Sequence, residues 1–541
     1  MSGDQKSKEN NAKPRASLRA YKSLLPYLAR YRWRYFWGFL CLITVDIAQI
    51  IIPQFIRRAV DIISGGDFEW RQILSLCLAM IGVMAFIALG RFFWRYFIHG
   101  SSRRIETELR ERLFDHLLTL SWDFYQKNKI GDLMARSIND LNAVRLAIGL
   151  GMVALVDFVV MASSILVIMF IQDTQSALMA VIPLPLVTLL ILIFGSMVGR
   201  RFRRAQEAYS RMSDTVQETF AGIRVIKSFV KEWWFIKKFA DTNDDYRKVN
   251  MELTRIFGFF FPFVTFLSEL TILIMLVAGG IRVVEGYMSP GSMVALFRYL
   301  QMLIWPLMGA GFMVTMIQRG AVSLSRVNEI LETMPSIVSP AEPGPPPDAA
   351  SDIPAVEIRG LDFSYTGESP ALTDVNLRIR RGEWLGIMGR TGAGKSTLIK
   401  TLPRLIDPPA GTVLVFGQDV RDWDLEALRS LFAAAPQDSY LFSDSIKNNI
   451  AYGLEDPAEG AVKKAAELSA LENDLTAFQG GWETLIGERG LTLSGGQKQR
   501  VAISRALIME SEFLILDDSL SAVDAETEQR ILAGLLRERR G

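Results

Sequence analysis

The sequence contains very little cysteine and histidine and carries almost no net charge. Among its 541 residues there are two cysteines, Cys41 and Cys77, and two histidines, His99 and His116. Both cysteines lie in apolar runs, so neither a disulfide framework nor a cysteine-based zinc site is available. Sixty Lys and Arg against 58 Asp and Glu give a net charge of +2, which offers no argument for nucleic acid as a partner. A hydrophobic fraction of 50% also excludes an intrinsically disordered chain.

Long apolar runs are abundant, and six of them are long enough to cross a bilayer core, which needs about 20 residues. Short and long connections alternate between these runs. Lys and Arg concentrate in the long connections, with eight between 97 and 150 and thirteen between 199 and 256. The positive-inside rule then predicts a multi-pass protein with both termini and both long loops in the cytoplasm. We expect this membrane to be the plasma (inner) membrane. The predicted spans are 35–56, 74–96, 150–171, 177–198, 257–281 and 293–316.

The two long loops keep apolar residues at helical spacing, with charged residues between them. About 25 further helical residues would carry a membrane helix roughly 35–40 Å into the cytoplasm. A charge-laced helix is usually a solvated face. Four helices extended on the same side instead favour a shared soluble partner. We therefore predict an all-α, six-helix transmembrane domain with cytoplasmic extensions.

Three acidic residues, Asp46, Asp157 and Glu269, lie inside the predicted spans. A carboxylate at the centre of a bilayer costs about 3 kcal/mol or more, so such residues usually face a cavity or a partner. They indicate either a substrate path or proton-linked site, or an interhelical hydrogen bond or a position near the membrane interface. The sequence leaves both interpretations open.

A proline-rich stretch separates this membrane domain from the rest of the chain. Residues 335–354 contain seven prolines, too many for a helix or a central strand, so we interpret them as a linker. The expected organisation is an N-terminal cytoplasmic segment at 1–34, the transmembrane domain at 35–334, the linker, and an α/β domain at 355–541.

The most specific motif of the α/β domain is a glycine-rich turn. Residues 389–396 read GRTGAGKS and fit the pattern G-x-x-x-x-G-K-[ST]. We predict a strand before the turn, at Trp384–Met388, and a helix after it, at Ser396–Leu402, which is the context that this motif requires. Glycines let backbone N–H groups approach phosphate oxygens, and a helix N-terminus adds partial positive charge. Lys395 would contact the β- and γ-phosphates, and the Ser396 hydroxyl would hold Mg²⁺.

Two carboxylates follow another predicted strand, Phe513–Leu516. In a doubly wound sheet, ligands bind at the carboxyl ends of the strands. Asp517 is therefore placed to hold the water shell of Mg²⁺. Asp518 lies next to the reacting phosphate and could polarise the attacking water.

A second anion site is suggested by the sequence LSGGQ at 493–497, which opens a predicted helix. A serine and two glycines at a helix N-terminus can bind an anion. Because the first turn already accounts for the phosphates of one nucleotide, this second site would contact another nucleotide. The alternative is an ordinary serine N-cap.

Together these motifs resemble those of the ATP-binding cassette (ABC) family, and the resemblance covers nearly the whole chain. GRTGAGKS resembles the Walker A motif of the family, LSGGQKQR its signature, FLILDD its Walker B motif, and Ser521–Asp524 its D-loop. Six spans before one cassette resemble a type I exporter half-transporter. The resemblance implies a P-loop ABC nucleotide-binding domain after the transmembrane domain, with ATP and Mg²⁺ as cofactors.

The resemblance also assigns roles to individual residues. Asp518 and the Q-loop residue Gln437 would be catalytic, and Mg²⁺ would be held by Ser396, Gln437 and Asp517. The side chain of Tyr365 resembles the aromatic residue that stacks on adenine. The residues expected at a nucleotide are Tyr365, Gly389, Thr391, Gly392, Ala393, Gly394, Lys395, Ser396 and Thr397 on this chain's own site, and Ser494, Gly495, Gly496 and Gln497 at the partner's site.

Three further segments resemble functional regions of exporters. Residues 487–490 resemble an extra loop that exporters carry. The segments near 125–135 and 226–236 resemble the regions around coupling helices. In this family two half-transporters make the working unit, so the implied partners are a second half-transporter, membrane lipid and a hydrophobic small molecule.

The residue after the Walker B aspartate departs from the family pattern. The family usually has glutamate there as the catalytic base, whereas this chain has Asp518, one methylene shorter. General-base geometry is tight, with a reach of about 2.6–3.2 Å, so the shorter side chain could cost orders of magnitude in rate. We therefore expect this chain's site to bind ATP and hydrolyse it slowly, while its LSGGQ completes the partner's site. That asymmetry favours a heterodimer over a homodimer. Alternatively, Asp518 works through one extra water.

A second departure concerns the end of the sequence. The family places a switch histidine some way past the D-loop, but no histidine follows His116. We therefore expect the nucleotide-binding domain to be incomplete at its C-terminus, without its last strands.

The expected function is an ATP-binding/permease subunit that moves hydrophobic drugs, lipids or related cargo out of the cell. Aromatic and methionine side chains could line a cavity for such cargo, or simply face lipid and neighbouring helices. An ATP-gated regulatory or channel-like ABC protein and a homodimeric lipid flippase are alternatives. A soluble ABC ATPase is a third, against which the six spans count heavily. The candidate cavity residues are Phe259–Phe261, Phe263, Met302, Met308 and Met313.

Overall fold

The chain forms two compact units in a computed structural model that describes residues 18–66, 69–181, 183–344, 353–365, 369–455, 457–478, 480–487 and 493–538. The first, called the helical unit here, comprises the residues up to Leu118 and Gly131–Glu332. The second, called the mixed unit, comprises Thr119–Ile130 and the chain from Thr333 onward. A short segment between two long helices therefore folds with the C-terminal part of the chain.

Nearly all of the helical unit is helix, as expected for a chain in lipid, where backbone N–H and C=O groups must pair within their own segment. The helices are α1 (Leu25–Arg30), α2 (Arg32–Ser64), α3 (Trp70–Thr119), α4 (Trp122–Lys127, in the mixed unit), α5 (Ile130–Ala135), α6 (Leu141–Leu146), α7 (Met152–Asp157), α8 (Ser163–Gln172), α9 (Thr174–Val181), α10 (Pro183–Ala221), α11 (Ile223–Ser228), α12 (Glu232–Val284) and α13 (Pro290–Leu331). A 3₁₀ turn, Leu18–Leu24, precedes α1.

Four helices in the described part of the chain are long and apolar enough to cross a membrane. They are α2, α3, the continuous helix Ile130–Gln172 and α13, and they carry the first, second, third and sixth predicted spans. The predicted spans 177–198 and 257–281 lie on α9 and α10 and on α12. A count of six membrane crossings stays a prediction.

The helical continuation of the long loops is confirmed. Helix α3 has 50 residues and α12 has 53, so each is about 75–80 Å long at 1.5 Å per residue. Both are more than twice as long as the roughly 20 residues that a bilayer core requires. Each therefore continues well beyond its apolar part.

Three π turns interrupt the helix Ile130–Gln172, at Arg136–Asp140, Ala147–Gly151 and Phe158–Ala162. A π turn carries one extra residue and is rare in proteins, where it often accompanies a functional site. The third turn begins directly after Asp157, one of the three acidic residues of the predicted spans.

Buried polar contacts fix the packing of α13 against two other helices. The Tyr299 hydroxyl, fully buried, donates to the Ile50 carbonyl oxygen at 2.9 Å and accepts from Gln54 Nε2 at 2.9 Å. Asp140, in the first π turn, accepts from Ser323 Oγ at 2.8 Å and from Arg326. Buried polar atoms need hydrogen-bond partners. These contacts therefore define one register for α13.

The candidate cavity residues of the helical unit have different surroundings. The Phe259 side chain is exposed, whereas Met302 packs against the hydrophobic core that contains Tyr299. The side chains of Phe261 and Met308 lie outside the described residues. Their role in a cavity stays a prediction.

Two small sheets and seven helices organise the described part of the mixed unit beyond Thr333. Strands β1 (Val356–Phe363), β2 (Leu372–Ile379), β3 (Val413–Val415) and β4 (Gln418–Asp419) form an antiparallel sheet in the order β2-β1-β3-β4. Strands β5 (Phe432–Ala435) and β6 (Phe513–Leu516) form a parallel pair. The helices are α14 (Lys395–Thr401), α15 (Leu425–Ser430), α16 (Ile446–Ile450), α17 (Glu459–Leu468), α18 (Glu472–Ala477), α19 (Gly495–Leu507) and α20 (Ala525–Glu538).

The predicted strand before the glycine-rich turn is wrong. Residues Trp384–Met388 form no strand, and the Trp384 and Met388 side chains are 48% and 95% exposed. A central parallel strand would be buried on both faces and paired on both edges. No strand in the described part of the mixed unit pairs with this segment, so its apolar pattern has no ladder to join.

The predicted linker is not a free tether along its whole length. Ser339 Oγ donates to Asp424 Oδ2 at 2.9 Å, and Gly344 N–H donates to the Asp422 carbonyl oxygen at 2.9 Å. These bonds fix the first ten residues of the stretch against α15 and its preceding loop. Residues 345–352 lie outside the described residues.

The segment Thr119–Ile130 is held by the same stretch of chain. Ser121 Oγ accepts from Ile337 N–H at 2.9 Å, and Asp123 Oδ1 accepts from Ser336 Oγ at 2.8 Å. Lys400 Nζ lies 5.8 Å from the centre of the Trp122 ring. The residues of this segment that make these contacts are 121–123. The resemblance placed the first coupling segment slightly later, near 125–135.

Arg505, in the last turn of α19, holds the segment 440–453, which includes α16, in place. Its guanidinium donates to the Asn449 carbonyl oxygen at 2.8 Å, to Asn449 Oδ1 at 2.8 Å and to the Tyr440 carbonyl oxygen at 2.9 Å. The rings of Phe442 and Tyr452 lie within 5.6 Å of its central carbon. Three charged hydrogen bonds and two ring contacts therefore depend on one side chain.

We expect Arg505→Ala to destabilise the mixed unit by about 2–4 kcal/mol, because the buried Asn449 would lose its charged donors. The thermal midpoint of that unit should fall by roughly 5–10 °C in a fluorescence melt of the purified chain. Arg537→Ala, at an exposed position on α20, is the matched control. Equal midpoints for the two variants would contradict the structural role of Arg505.

Candidate nucleotide-binding site

The glycine-rich turn has the backbone conformation that its glycines predict. Gly392 and Gly394 adopt φ angles of +84° and +90°, which residues with a side chain rarely reach. A Cβ atom at Gly394 would lie 2.5 Å from the Ala371 carbonyl oxygen. Helix α14 begins directly after it, at Lys395. The turn is therefore a tight backbone loop that opens a helix, as the motif predicts.

Lys395 already occupies the mouth of this loop. Its Nζ donates to the Gly389 carbonyl oxygen at 2.8 Å and to the Arg390 carbonyl oxygen at 3.2 Å. These bonds fold the side chain back over residues 389–394. A phosphate group would meet the ammonium at this point and compete with the two carbonyl groups for it.

The carboxylates after β6 lie where the parallel pair ends. The Asp517 N–H donates to the Ala435 carbonyl oxygen at 3.0 Å, so the ladder of β5 and β6 extends to that residue. Asp518 then turns away with φ = +51°, a conformation that aspartate tolerates better than most residues. Gln437 Nε2 donates to Asp518 Oδ2 at 3.1 Å. The structure thus brings the two predicted catalytic residues into direct contact.

Tyr365 lies close to the glycine-rich turn without blocking it. Its hydroxyl is 3.1 Å from Thr397 Oγ1, and the ring is 47% exposed. The Phe363 ring meets it edge-on, with centroids 5.1 Å apart. Stacking on adenine is compatible with this exposure and stays a prediction.

One open cavity of about 1380 Å³ brings most of the predicted nucleotide residues together. The glycine-rich turn, Tyr365, Gln437, Asp517 and Asp518 all line it. The signature residues 494–497 do not belong to its described lining. This division is what two different nucleotides would require.

The signature motif begins α19 with a complete capping box. Ser494 Oγ accepts from the Gln497 N–H at 3.3 Å, and Gln497 Oε1 accepts from the Ser494 N–H at 2.9 Å. The serine N-cap is therefore present in this structure. A Cβ atom at Gly496 would lie 2.7 Å from the Ala522 carbonyl oxygen, so the D-loop packs directly on that glycine.

The sequence motifs did not predict a hydrogen-bonded link between the signature helix and the D-loop. Gln499, 7% exposed, accepts from the Ala522 N–H at 2.9 Å and donates to Ser521 Oγ at 3.2 Å. Ser521 Oγ in turn donates to the Asp518 carbonyl oxygen at 2.9 Å. A glutamine at an inward helical position of α19 was the available signal.

The other end of the D-loop caps α20. The backbone N–H of Thr527 donates to Asp524 Oδ1 at 2.9 Å, and this bond is the main reason why the pKa of the Asp524 carboxyl lies below its usual value. The carboxylate also lies at the positive end of the helix dipole. The D-loop is thus fixed at both ends.

The residues present fit a magnesium–nucleotide complex. Mg²⁺ usually takes one or two protein oxygens, several waters and substrate phosphates, and a hydroxyl with one carboxylate would suffice. Ser396 and Asp517 line the same cavity and supply those two groups. No cluster of three or more His, Cys, Asp or Glu side chains suited to a protein-only metal site occurs in the described ranges. The exporter-loop residues 488–490 lie outside those ranges.

Comparisons with known proteins agree with the fold. The family model for the ABC transporter transmembrane region matches residues 35–307, and the ABC transporter model matches residues 372–521. A bacterial Atm1-family ABC exporter with ATP bound has the same fold, with a TM-score of 0.73, 24% identity, and coverage of 94% of this chain and 90% of that one.

Curated relatives match over almost the full length of the chain. The probable multidrug resistance ABC transporter ATP-binding/permease protein YheI of Bacillus subtilis is 35% identical over 96% of this chain and 88% of its own. The multidrug resistance-like ATP-binding protein MdlA of Escherichia coli is 34% identical over 96% and 87%. The ATP-dependent lipid A-core flippase of Syntrophus aciditrophicus is 29% identical over 100% and 89%.

The resemblance found in the sequence motifs is thereby confirmed, as is a helical transmembrane domain followed by an ABC nucleotide-binding domain. The chain belongs to the ABC transporter family, as an exporter whose single polypeptide carries both the permease and the ATP-binding domain.

Proposed function

We propose that the chain exports hydrophobic compounds across the plasma membrane as one half of a heterodimer, with its nucleotide-binding domain and both termini in the cytoplasm. The names of YheI and MdlA refer to multidrug resistance, and that of the Syntrophus relative refers to a lipid A-core flippase. These names support a hydrophobic or amphipathic cargo. The other half of the heterodimer would be a second ABC half-transporter. We expect no nucleic acid as a partner.

The observation that carries the proposal is the cavity shared by the glycine-rich turn, Gln437, Asp517 and Asp518. Bound ATP with Mg²⁺ would supply the reacting phosphate and the free energy for transport. The backbone of residues 389–396 and Lys395 would hold the phosphates, while Ser396 and Asp517 would hold Mg²⁺ with Gln437 nearby. Thr391, Ala393 and Thr397 belong to the same wall.

We further propose that hydrolysis at this site is slow. The Asp518 carboxylate would have to abstract a proton from a water in line with the phosphate, but it is one methylene shorter than glutamate. In the structure its Oδ2 accepts from Gln437 instead. An incorrectly placed base costs orders of magnitude in rate, because proton transfer needs hydrogen-bond reach.

The signature residues would complete the nucleotide site of the partner. Ser494, Gly495, Gly496 and Gln497 open α19 and are separate from the cavity of this chain. Gln499, Ser521 and Ala522 join that helix to the residues after β6. Two hydrogen bonds, from Gln499 to Ser521 and from Ser521 to the Asp518 carbonyl oxygen, link the signature helix to the Asp518 backbone. Movement of the signature helix on binding a nucleotide would be passed to Asp518 through them.

A channel-like or regulatory ABC protein is the alternative that slow hydrolysis equally permits. We expect the complex in liposomes to show substrate-stimulated ATP hydrolysis and uphill movement of a lipophilic dye, because binding of two nucleotides would drive alternating access. Passive ion flux after ATP addition, without dye movement, would contradict the exporter and favour the gate. A fast homodimeric ATPase made from this chain alone would contradict the heterodimer and favour a homodimeric flippase.

Lys395→Ala should abolish measurable ATP binding at this chain's site. The ammonium would lose about 2–3 kcal/mol of charged hydrogen bonding to phosphate, a factor of roughly 30–150 in affinity. Equilibrium titration of the full chain with a fluorescent ATP analogue measures the effect. Lys463→Ala, exposed on α17, is the control. Unchanged affinity in Lys395→Ala would remove the lysine from the site.

Substitutions of Asp518 test whether this site is already slow. Asp518→Asn should leave total ATP hydrolysis by the complex within about twofold, whereas Asp518→Glu should raise it, because glutamate restores the reach of the base. Phosphate release by the reconstituted complex is the measurement, with Glu526→Gln on α20 as the control. A collapse of the rate in Asp518→Asn would identify Asp518 as a working base.

A further inference from the structure

Among the helices that can span a membrane, two acidic side chains each have a buried oxygen without a partner in the described part of the chain. Asp46, near the middle of α2, is 2% exposed, and Asp157 is the last residue of α7. Asp46 Oδ2 and Asp157 Oδ1 are buried and accept no hydrogen bond from any described residue. Helix α2 packs against α7, and the two carboxyl groups lie within electrostatic range of each other. The third acid of the predicted spans, Glu269, is exposed on α12.

The cation nearest to the pair binds a neutral group instead. Arg91, on α3, lies within electrostatic range of both acids. Its Nη2 nevertheless donates to Gln49 Oε1 at 2.9 Å, and it forms no ion pair with a described carboxylate. Gln49 lies three residues after Asp46, on the same side of α2. A guanidinium binds a carboxylate more strongly than a neutral amide oxygen. Arg91 therefore leaves Asp46 without an ion pair among the described residues.

In the described part of the helices packed against α2, Asp157 and Arg91 are the charged groups within electrostatic range of Asp46. Helix α7 presents Asp157, α3 presents Arg91, and the titratable residue that α13 presents is Tyr299. The Tyr299 hydroxyl is already bound to the Ile50 carbonyl oxygen and to Gln54. An ionised carboxylate buried among these side chains is far more costly than a neutral acid, because no described cation pairs with it.

We propose that Asp46 and Asp157 form a proton-binding site in the membrane, with the proton held on Asp46 in this conformation and Asp157 as the second acceptor. An organic cation could not reach a side chain that is 2% exposed, whereas a proton needs no space. Binding transfers one proton from water to a carboxylate, and release returns it to water. The π turn directly after Asp157 sets the direction of that side chain relative to α2.

The proton is exchanged when α2 and α7 change their packing, a step that rests on the alternating access of the proposed function. Water that reaches Asp46 would ionise it, and Arg91 could then exchange Gln49 for the new carboxylate one helical turn away. Return of the helices to the packing described here would restore the proton. The site would thus couple proton release and uptake to the movement of two membrane helices.

Infrared spectroscopy of the full chain in lipid vesicles, at neutral pH and without nucleotide, tests the site. The difference spectrum of wild type minus Asp46→Asn should contain the carbonyl-stretch band of a protonated carboxylic acid, with the expected shift in heavy water. Asp46→Glu should retain the band. Asp244→Asn, an exposed carboxylate paired with Arg247 and Lys248, should leave it unchanged. A wild type without the band, or a band that survives in Asp46→Asn, overturns the proposal.

A second spectrum, recorded with a non-hydrolysable ATP analogue, tests the exchange. The band should be lost in full when the analogue closes the complex and should return when the analogue is washed out. An unchanged band in a sample whose analogue binding is measured separately overturns the exchange and leaves the ATP-dependent function intact. If the analogue does not bind, the proposed function fails, while the nucleotide-free spectrum still decides whether Asp46 is protonated.

Discussion

The stretch Asp517–Ala522 is the point on which the nucleotide-binding domain depends. One backbone bond to Ala435 ends the parallel pair of strands, and the Asp518 side chain meets Gln437. Gln499 binds the Ser521 side chain and the Ala522 backbone. Six residues therefore serve the carboxylates of one site and the signature helix of another. Because these hydrogen bonds form one connected network, movement of either part is coupled to the other.

In the transmembrane domain the governing constraint is the absence of water. Each backbone must satisfy its own hydrogen bonds, which makes helices unavoidable, and the side chains then decide how the helices pack. Tyr299 and Asp140 satisfy that requirement with nearby partners on other helices. Asp46 does not. A buried carboxylate oxygen without a partner is costly, which makes Asp46 a candidate for binding a ligand.

Local chemistry made part of this structure predictable from the sequence. Glycines at 392 and 394 require positive φ angles, Lys395 follows them, and the apolar run of β6 identifies that strand. The strand at 384–388 was wrong because strand formation depends on partners elsewhere in the chain. The fixed half of the proline-rich stretch was missed for a similar reason: its hydrogen bonds reach Asp422 and Asp424, about eighty residues away. Composition carries no information about such distant contacts.

The π turns of Ile130–Gln172 give that helix an unusual degree of freedom. Each holds one residue more than an α turn would, and an α-helix advances about 100° per residue. If one of them relaxed to α geometry, the rest of the helix would rotate about the helix axis by about that angle. It would move little along that axis. With three such joints, the helix could turn a different stripe of side chains toward its neighbours and keep nearly all of its backbone bonds.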